Sequence, residues 1–369
     1  MLIAFGMACL RLLIFVLKFF GVENATLSVI DSGALPFVIA ARVEAAVKTL
    51  TGTEAAFLPG MIPENIYHST RERFRFSRLY LPGNNPGMFL NAGLHSPDGI
   101  ILDLEDSVAP DRKDEARILV RNALRAVNFY GAERMVRINQ GERGLTDLES
   151  VIPHNVHLIL IPKCEDSDAL RTVDETIVSI KKREGQNDTV LLMPIIESAK
   201  GVERAYEIAT ASPNVVAMAI GLEDYTADLG VQRTKEGSES LYARNRIVVA
   251  ARAAGIQAID SVFSDVGDMD GLLSNVLSAK AMGFEGMGCI HPRQIAVIRK
   301  GFSPAPEEID RAKKIVIAYR DALSRGLGVV ALGSKMIDPP VVARAQKTID
   351  LAVRLEIVPQ NWIEEEGKE

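Results

Sequence analysis

From Phe74 onward, short apolar runs rich in β-branched residues alternate with longer amphipathic stretches, and this alternation constrains the fold more than any other feature of the chain. The runs are SRLYLPG, GIILDLED, RMVRIN, LILIPK, VLLMPIIE, VVAMAIGLED, IQAIDSV and GMGCIHP. Between them lie DRKDEARILVRNALRAV, SDALRTVDETIVSIKKR, AKGVERAYEIA, LYARNRIVVAARAA and DMDGLLSNVLSAKAM, all with helical spacing. Strands this apolar are buried on both faces, the pattern of a parallel sheet. About eight β/α units over about 220–230 residues fit a (β/α)8 barrel, typically ~250 residues long. The competing open, doubly wound sheet should show a Gly-rich phosphate turn after an early strand, and LYLPGNNPG is not G-x-G-x-x-G. The expected fold is α/β: a (β/α)8 TIM barrel at 74–303 with a C-terminal helical extension at 304–369. A small N-terminal α+β fragment at 1–55 and a linker at 56–73 precede it.

The first twenty residues, MLIAFGMACLRLLIFVLKFF, are apolar enough to raise export or membrane anchoring. Arg11 interrupts the run, and a central Arg costs roughly 2.5–3.5 kcal/mol on insertion scales. Arg11 and Lys18 share one helical face, and no small-x-small cleavage site follows. A soluble helix is expected, then a strand at ATLSVID, a turn at SG and a helix at LPFVIAARVEAAVKTL. Hydrophobic residues at 47% and charged residues at 24% are those of a folded soluble protein. A net charge of −6 offers no global basic field for nucleic acid. Cys9, Cys164 and Cys289 have neither zinc-ligand nor redox-motif spacing, which fits a reducing cytoplasm.

In a barrel of this kind, chemistry sits at the C-terminal ends of the strands. Here those ends carry Pro82-Gly83, Asp103-Leu104-Glu105-Asp106, Arg137-Ile138-Asn139, Lys163, Glu197, Asp224, Asp260 and His291-Pro292. Any one of these reads equally as a solvated loop charge; charged or polar groups at nearly every strand end read as a site. Glu197 and Asp224 end neighbouring strands 27 residues apart. Two converging carboxylates suit a hard cation such as Mg²⁺, which leaves positions for water and substrate. With no second His or Cys nearby, zinc does not fit. Arg78 and Arg137 suit a bidentate grip on a carboxylate, or a salt bridge to the DLED acids. Cys289 reads as core, His291 as a hydrogen-bonding group near a Pro turn, and KKREG at 181–185 as a solvated helix end.

S-R-L-Y-L-P-G-N at 77–84, D-L-E-D-S-V at 103–108, V-R-I-N at 136–139, P-I-I-E-S-A-K-G at 194–201, G-L-E-D-Y-T-A-D-L-G at 221–230 and I-H-P at 290–292 occur in the order found in one family. They resemble the citrate lyase β-subunit family of the HpcH/HpaI-like aldolase superfamily, which also holds malyl-CoA and citramalyl-CoA lyases. The resemblance implies a (β/α)8 barrel, usually trimeric, with one Mg²⁺ (or Mn²⁺) on Glu197 and Asp224. It places Arg78 and Arg137 on substrate-binding arginines. Gly83, Glu197 and Asp224 join them around the substrate, and Glu105 and Asp106 hold arginines and metal waters. Asp338, in K-M-I-D-P-P, falls on an acid sent from the C-terminal extension into a neighbouring subunit's site; Gly333 would permit the bend, while helix capping is the plainer role for Asp338. One departure is Gly286-Met287-Gly288, where many members have Gly-Lys, a residue that would bear on thioester specificity.

Residues 21–47 are similar to the second half of the citrate lyase acyl carrier (γ) subunit, through the D-x-G-A-L turn and the A-R-V-E-A-A helix. The carrier's serine-bearing half is not matched, and Ser28 and Ser32 lie in the wrong part of the motif. Either the true start lies upstream of Met1 or the carrier portion is a remnant. The resemblance implies Mg²⁺-assisted retro-Claisen cleavage of (3S)-citryl-acyl-carrier thioester to oxaloacetate and acetyl-thioester. The implied partners are the citrate lyase α-subunit, the acyl carrier (γ) subunit and further copies of this chain, with no nucleic acid and no membrane. The thioester would sit on a prosthetic group or on CoA. A malyl-CoA or citramalyl-CoA lyase, and a non-catalytic subunit from a decayed carrier–lyase fusion, are the alternatives.

Overall fold

A computed structural model describes residues 2–332 and 335–363. The chain divides into two compact units, Met1–Ile298 and Arg299–Glu369. In the first, β1 (Ser77–Pro82), β2 (Gly99–Asp103), β3 (Glu133–Arg137), β4 (Leu158–Ile161), β5 (Leu191–Ile196), β6 (Ala217–Ile220), β7 (Gln257–Asp260) and β8 (Gly286–Cys289) close into one barrel in sequence order. Every neighbouring pair is parallel, and β8 returns to β1 through Arg78 and Gly288. This is the (β/α)8 barrel expected from the alternation. Ile101, Met135, Leu160, Met193, Ile195 and Ile259 fill its interior, as inward-pointing branched and long side chains do in such barrels.

Thirteen helices and a hairpin complete the chain among the described residues. They are α1 (Leu2–Phe19), α2 (Pro36–Thr51), α3 (Lys113–Ala126), α4 (Gly141–Val151), α5 (Ser167–Glu184), α6 (Ala199–Glu203) and α7 (Ala205–Ala209). They continue as α8 (Leu222–Leu229), α9 (Leu241–Ala254), α10 (Met269–Met282), α11 (Arg293–Phe302), α12 (Pro306–Ser324) and α13 (Pro339–Arg354), with β9 (Val330–Leu332) and β10 (Lys335–Ile337) pairing antiparallel. Three helices, α4, α8 and α11 (RQIAVIRKGF), lie outside the helical stretches expected from the sequence. GERGLTDLESV forms α4, and LEDYTADL forms α8, where a longer strand had been expected. The sixth strand stops at Ile220 because Gly221 breaks the apolar run and Glu223 and Asp224 suit a helix's first turn.

The N-terminal region corrects another expectation. Ala25–Asp31 is exposed and forms no strand. No neighbouring strand lies beside it, and β-propensity without a ladder partner does not make a strand. Leu13 and Val16 of α1 pack with Ile39, Ala40, Val43 and Val47 of α2. The helix pair is then tied to α3 by a buried bidentate ion pair, Arg121 Nη1 and Nη2 to Glu44 Oε1 and Oε2 at 2.8 and 2.7 Å. Asn122 adds a hydrogen bond to the Phe37 carbonyl. Among the described residues, no helix is long and apolar enough to cross a membrane.

Residues 56–73 carry one 3-10 turn, Pro63–Asn65, yet are anchored throughout. Asn65 is buried and donates to the carbonyls of Leu124 and Val127, and Arg125 donates to Pro59. The N-terminal end of the barrel is plugged by charge: Arg75 pairs with Glu133 through two 2.8 Å contacts and donates to Gln257. The second unit has its own core of Ile309, Ile315, Ile337, Ile349, Val358 and Trp362. Asp338 is the N-cap of α13, accepting the Val341 N–H at 3.1 Å, with Pro339 opening the helix. Gly333 lies outside the described residues.

His157, just before β4, gives the fold a pH signature. Its Nδ1 accepts the Arg134 backbone N–H at 3.1 Å, and its Nε2 lies 2.8 Å from both the Tyr67 carbonyl and the Arg134 Nη2. Burial, then the Arg134 guanidinium, push its pKa down to about 3. Between that value and the unfolded ~6.5, the unfolded chain binds more protons. The neutral ring's contribution is therefore complete above about pH 6.5 and lost as pH falls toward 3, by up to ~1.4 kcal/mol per unit. Denaturant titrations of the parent and His157→Gln at pH 7, 6 and 5 should show that the variant lacks this component of the slope. Parallel slopes would mean that the ring titrates normally in the fold.

Candidate active site

A cavity of about 630 Å³ opens at the C-terminal end of the barrel, the end where βα loops carry function in this architecture. Asp103, the last residue of β2, and Arg137, the last of β3, stand opposite each other in register. Arg137 donates Nε and Nη2 to the two oxygens of Asp103 at 2.7 and 2.8 Å. Its Nη1 lies 3.0 Å from Glu105 Oε2. Its guanidinium also sits 5.3 Å from the Tyr80 ring centroid. Burial alone would raise the Asp103 carboxyl, but Arg137, the Ser107 side chain and the Glu105 amide outweigh it and hold the pKa below the ordinary range. Arg137 thus makes the expected salt bridge to the DLED acids, and it lines the cavity.

Glu197 follows β5 directly. Its Oε2 accepts the Lys163 backbone N–H at 2.9 Å. Burial, and then the neighbouring Asp224 carboxylate, raise its pKa to about 7 although that amide opposes the shift. Gly221 is what makes room for it, because a Cβ there would collide with Glu197 Oε1. Asp224 sits in the first turn of α8 rather than at a strand end. The Leu222 N–H at the start of α8 is held by Ser261 Oγ at 3.1 Å.

Lys163 reaches into the same acids, with Nζ at 3.2 Å from Glu105, 3.5 Å from Asp106 and 3.8 Å from Asp224. Five residues singled out from the sequence thus converge: Glu105, Asp106, Arg137, Glu197 and Asp224. Lys163 joins them; it was visible as a strand-end residue after Ile161-Pro162 but not as a member of the site. Tyr80 and Gly221 lie within quoted motifs, but neither they nor Ser261 were singled out as site residues, since their parts depend on what they face across the barrel.

Arg78 lines the deeper part of the cavity. It is 1% exposed, its Nη1 rests 2.9 Å from the Met193 sulfur, and its Nε has no hydrogen-bond partner among the described residues. A buried guanidinium so poorly paired is costly, and burial lowers its pKa. Gly83 donates its N–H to the Asp103 carbonyl at 2.7 Å, and the approach leaves no room for a side chain. Its observed part is to join β1 to β2. Met287 is fully buried in β8, one residue out of phase with the cavity-lining Gly288. His291 lines the cavity, with Nδ1 accepting the Arg293 N–H, and Cys289 is buried with its thiol pushed up to about 12. Asp338 belongs to the other compact unit.

The donor set fits a hard divalent cation. Glu197 and Asp224 present oxygen ligands whose mutual repulsion a cation would relieve, and Gly221 keeps Glu197 Oε1 clear of protein. No group of three or more His, Cys, Asp or Glu among the described residues forms a metal cage. Such a cation would take two carboxylates from protein and its remaining ligands from water and substrate, as Mg²⁺ does.

Comparison with known proteins agrees with this geometry. Residues 77–292 match the family model HpcH/HpaI aldolase/citrate lyase, and residues 4–50 match a carrier-protein model described as malonate decarboxylase delta subunit (MdcD). Citrate lyase subunit beta of Leuconostoc mesenteroides is 38% identical over 298 residues, covering 79% of this chain and 99% of that protein. Mitochondrial citramalyl-CoA lyase of Mus musculus is 34% identical, covering 75% and 86%. The crystal structure of CitE from Mycobacterium tuberculosis with magnesium, acetoacetate and coenzyme A superposes with a TM-score of 0.66 at 30% identity, covering 77% of this chain and 99% of that one. By its closed barrel, its mouth of paired acids and arginine, and these matches, the chain is a lyase of the HpcH/HpaI aldolase/citrate lyase family.

Proposed function

We propose that this chain cleaves a (3S)-citryl thioester to oxaloacetate and an acetyl thioester, with Mg²⁺ held by Glu197 and Asp224. The observation that carries the reading is the Glu197–Asp224 pair beside an arginine already fixed by Asp103. When bound, Mg²⁺ supplies Lewis-acid polarisation of the substrate oxygen that becomes the ketone. Three of the five N–H donors of Arg137 are spent on Asp103 and Glu105, which leaves two for substrate oxygens. Its rigid fork is aimed at the thioester enolate that forms as the carbon–carbon bond breaks. Asp106, half exposed and loosely held by Lys163 at 3.5 Å and Arg137 at 3.9 Å, takes the hydroxyl proton; Glu105, more fully engaged, keeps Arg137 and Lys163 in place. Arg78 receives a substrate carboxylate in the deeper cavity. The enolate carbon then takes a proton from Asp338 of a neighbouring subunit, in a trimer that assembles with a citrate lyase α-subunit and an acyl carrier. The free state of all three cysteines suits a cytoplasmic setting.

Supplied with Mg²⁺ and a citryl thioester, the protein should release oxaloacetate, read by coupled NADH oxidation with malate dehydrogenase. Pyruvate from citramalyl-CoA, or glyoxylate from malyl-CoA, without oxaloacetate would move the substrate to the CoA-ester lyases. Cleavage of none of the three would support a non-catalytic subunit. The space at Gly221 gives a second prediction. Gly221→Ala forces the Glu197 carboxylate to shift at a cost of about 1–3 kcal/mol, so the Mg²⁺ concentration for half-maximal rate should rise about tenfold or more. An unchanged Mg²⁺ dependence would take Glu197 out of the metal site.

A further inference from the structure

Lys163 is one of five residues other than glycine with positive φ among the described residues, at +46°. Left-handed backbone is costly for a long side chain and clusters at functional sites. Two sets of contacts are made from this conformation. The backbone N–H turns to Glu197 Oε2, and the side chain returns to the acids of β2 and α8. A single residue thereby touches both carboxylates of the proposed metal pair, one through its amide and one through its ammonium.

The contacts of the ammonium are graded. Glu105 is nearest at 3.2 Å, Asp106 follows at 3.5 Å, and Asp224 is farthest at 3.8 Å. The other strong cation at the mouth, Arg137, is bound to Asp103 and Glu105 and lies no nearer than 3.9 Å to Asp106. No contact from Arg137 to Asp224 is formed, so the Lys163 ammonium is the cation that Asp224 meets among the described residues. A divalent ion arriving at Glu197 and Asp224 must overcome that positive charge or displace it.

We infer that Lys163 is an internal counter-cation: its ammonium holds Asp224 in the metal-free protein and yields it to the divalent ion, while its backbone amide keeps Glu197 oriented throughout. The inference rests on the proposed metal pair but not on the identity of the thioester. On metal binding the ammonium keeps its shorter contacts to Glu105 and Asp106 and gives up the longest one. The metal-free mouth is thus neutralised without being closed, and binding exchanges one cation for another instead of adding charge to an empty acid cluster.

The test is Mn²⁺ binding to the full chain without substrate, followed by the electron spin resonance signal of free Mn²⁺, together with melting temperature with and without Mg²⁺. Lys163→Met removes the ammonium, and Lys163→Gly removes it while easing the left-handed backbone that positions the amide. Loss of a positive charge this close to the site should tighten Mn²⁺ binding about tenfold or more in both variants. Metal-free melting should fall below that of the parent, and the Mg²⁺-induced rise should be larger, because linkage ties the two. Unchanged affinity in both variants would reduce Lys163 to a surface ion pair, and weaker binding in both would show that the ammonium organises the acids instead of competing with metal; either overturns the inference. If the parent itself binds no Mn²⁺, the metal pair fails first and the exchange falls with it. Binding by the parent without cleavage of any thioester would leave the exchange standing and remove only the lyase reading.

Discussion

Carboxylates gathered at the end of a ring of apolar strands repel one another, and the mouth of this barrel is organised around containing that repulsion. The closed parallel ring brings Asp103, Glu197 and Asp224 to one cavity, with Glu105 and Asp106 beside them against Arg137 and Lys163. Arg137 neutralises the β2 side with a bidentate bridge to Asp103 and a third contact to Glu105. The opposite side receives only a backbone amide on Glu197 and a distant ammonium on Asp224. The imbalance is visible in the titration of the two sides. Arginine and amides hold Asp103 below the ordinary carboxylate range, whereas burial and a like-charged neighbour raise Glu197 to about 7. One half of the mouth is neutralised within the protein, and the other is the half to which the proposed cation is assigned.

The same logic explains why supporting residues matter as much as the acids. Gly221 supplies volume for Glu197, and Ser261 fixes the start of α8 and with it Asp224. At the other end of the barrel, Arg75 and Glu133 form an ion pair sealed by Gln257, remote from chemistry. A third buried ion pair, Glu44–Arg121, fastens the carrier-like helices to α3. Removing one partner of such a pair strands a buried charge, at a typical cost of 3–5 kcal/mol. The carrier-like segment is thus locked to the barrel within its unit, an arrangement unlike a carrier that swings on a flexible tether.

The sequence made the barrel legible because burial on both faces leaves strands with little choice of composition, and each of the eight runs matches one observed strand. Strand-end position also made most of the site legible, since closure of the barrel converts a one-dimensional pattern into convergence. What it could not convey is contact across the ring. Lys163 looked like one more strand-end charge until its left-handed backbone was seen to serve Glu197. The hydrogen bond of the Gly83 amide to the Asp103 carbonyl was not legible either. The expected strand at Ala25–Asp31 failed because propensity carries no information about whether a partner strand exists, and α8 was missed because an apolar run that ends in acids fits a strand end and a helix start equally well.

The central claim is that Glu197 and Asp224 form a single divalent-metal site at the barrel mouth, and direct counting of bound Mn²⁺ by electron spin resonance tests it without any assumption about substrate. The account predicts one Mn²⁺ per chain in the parent protein, displaced by Mg²⁺, and loss of that site in both Glu197→Gln and Asp224→Asn with the fold retained. Binding of Mn²⁺ with unchanged stoichiometry and affinity in either variant would contradict it.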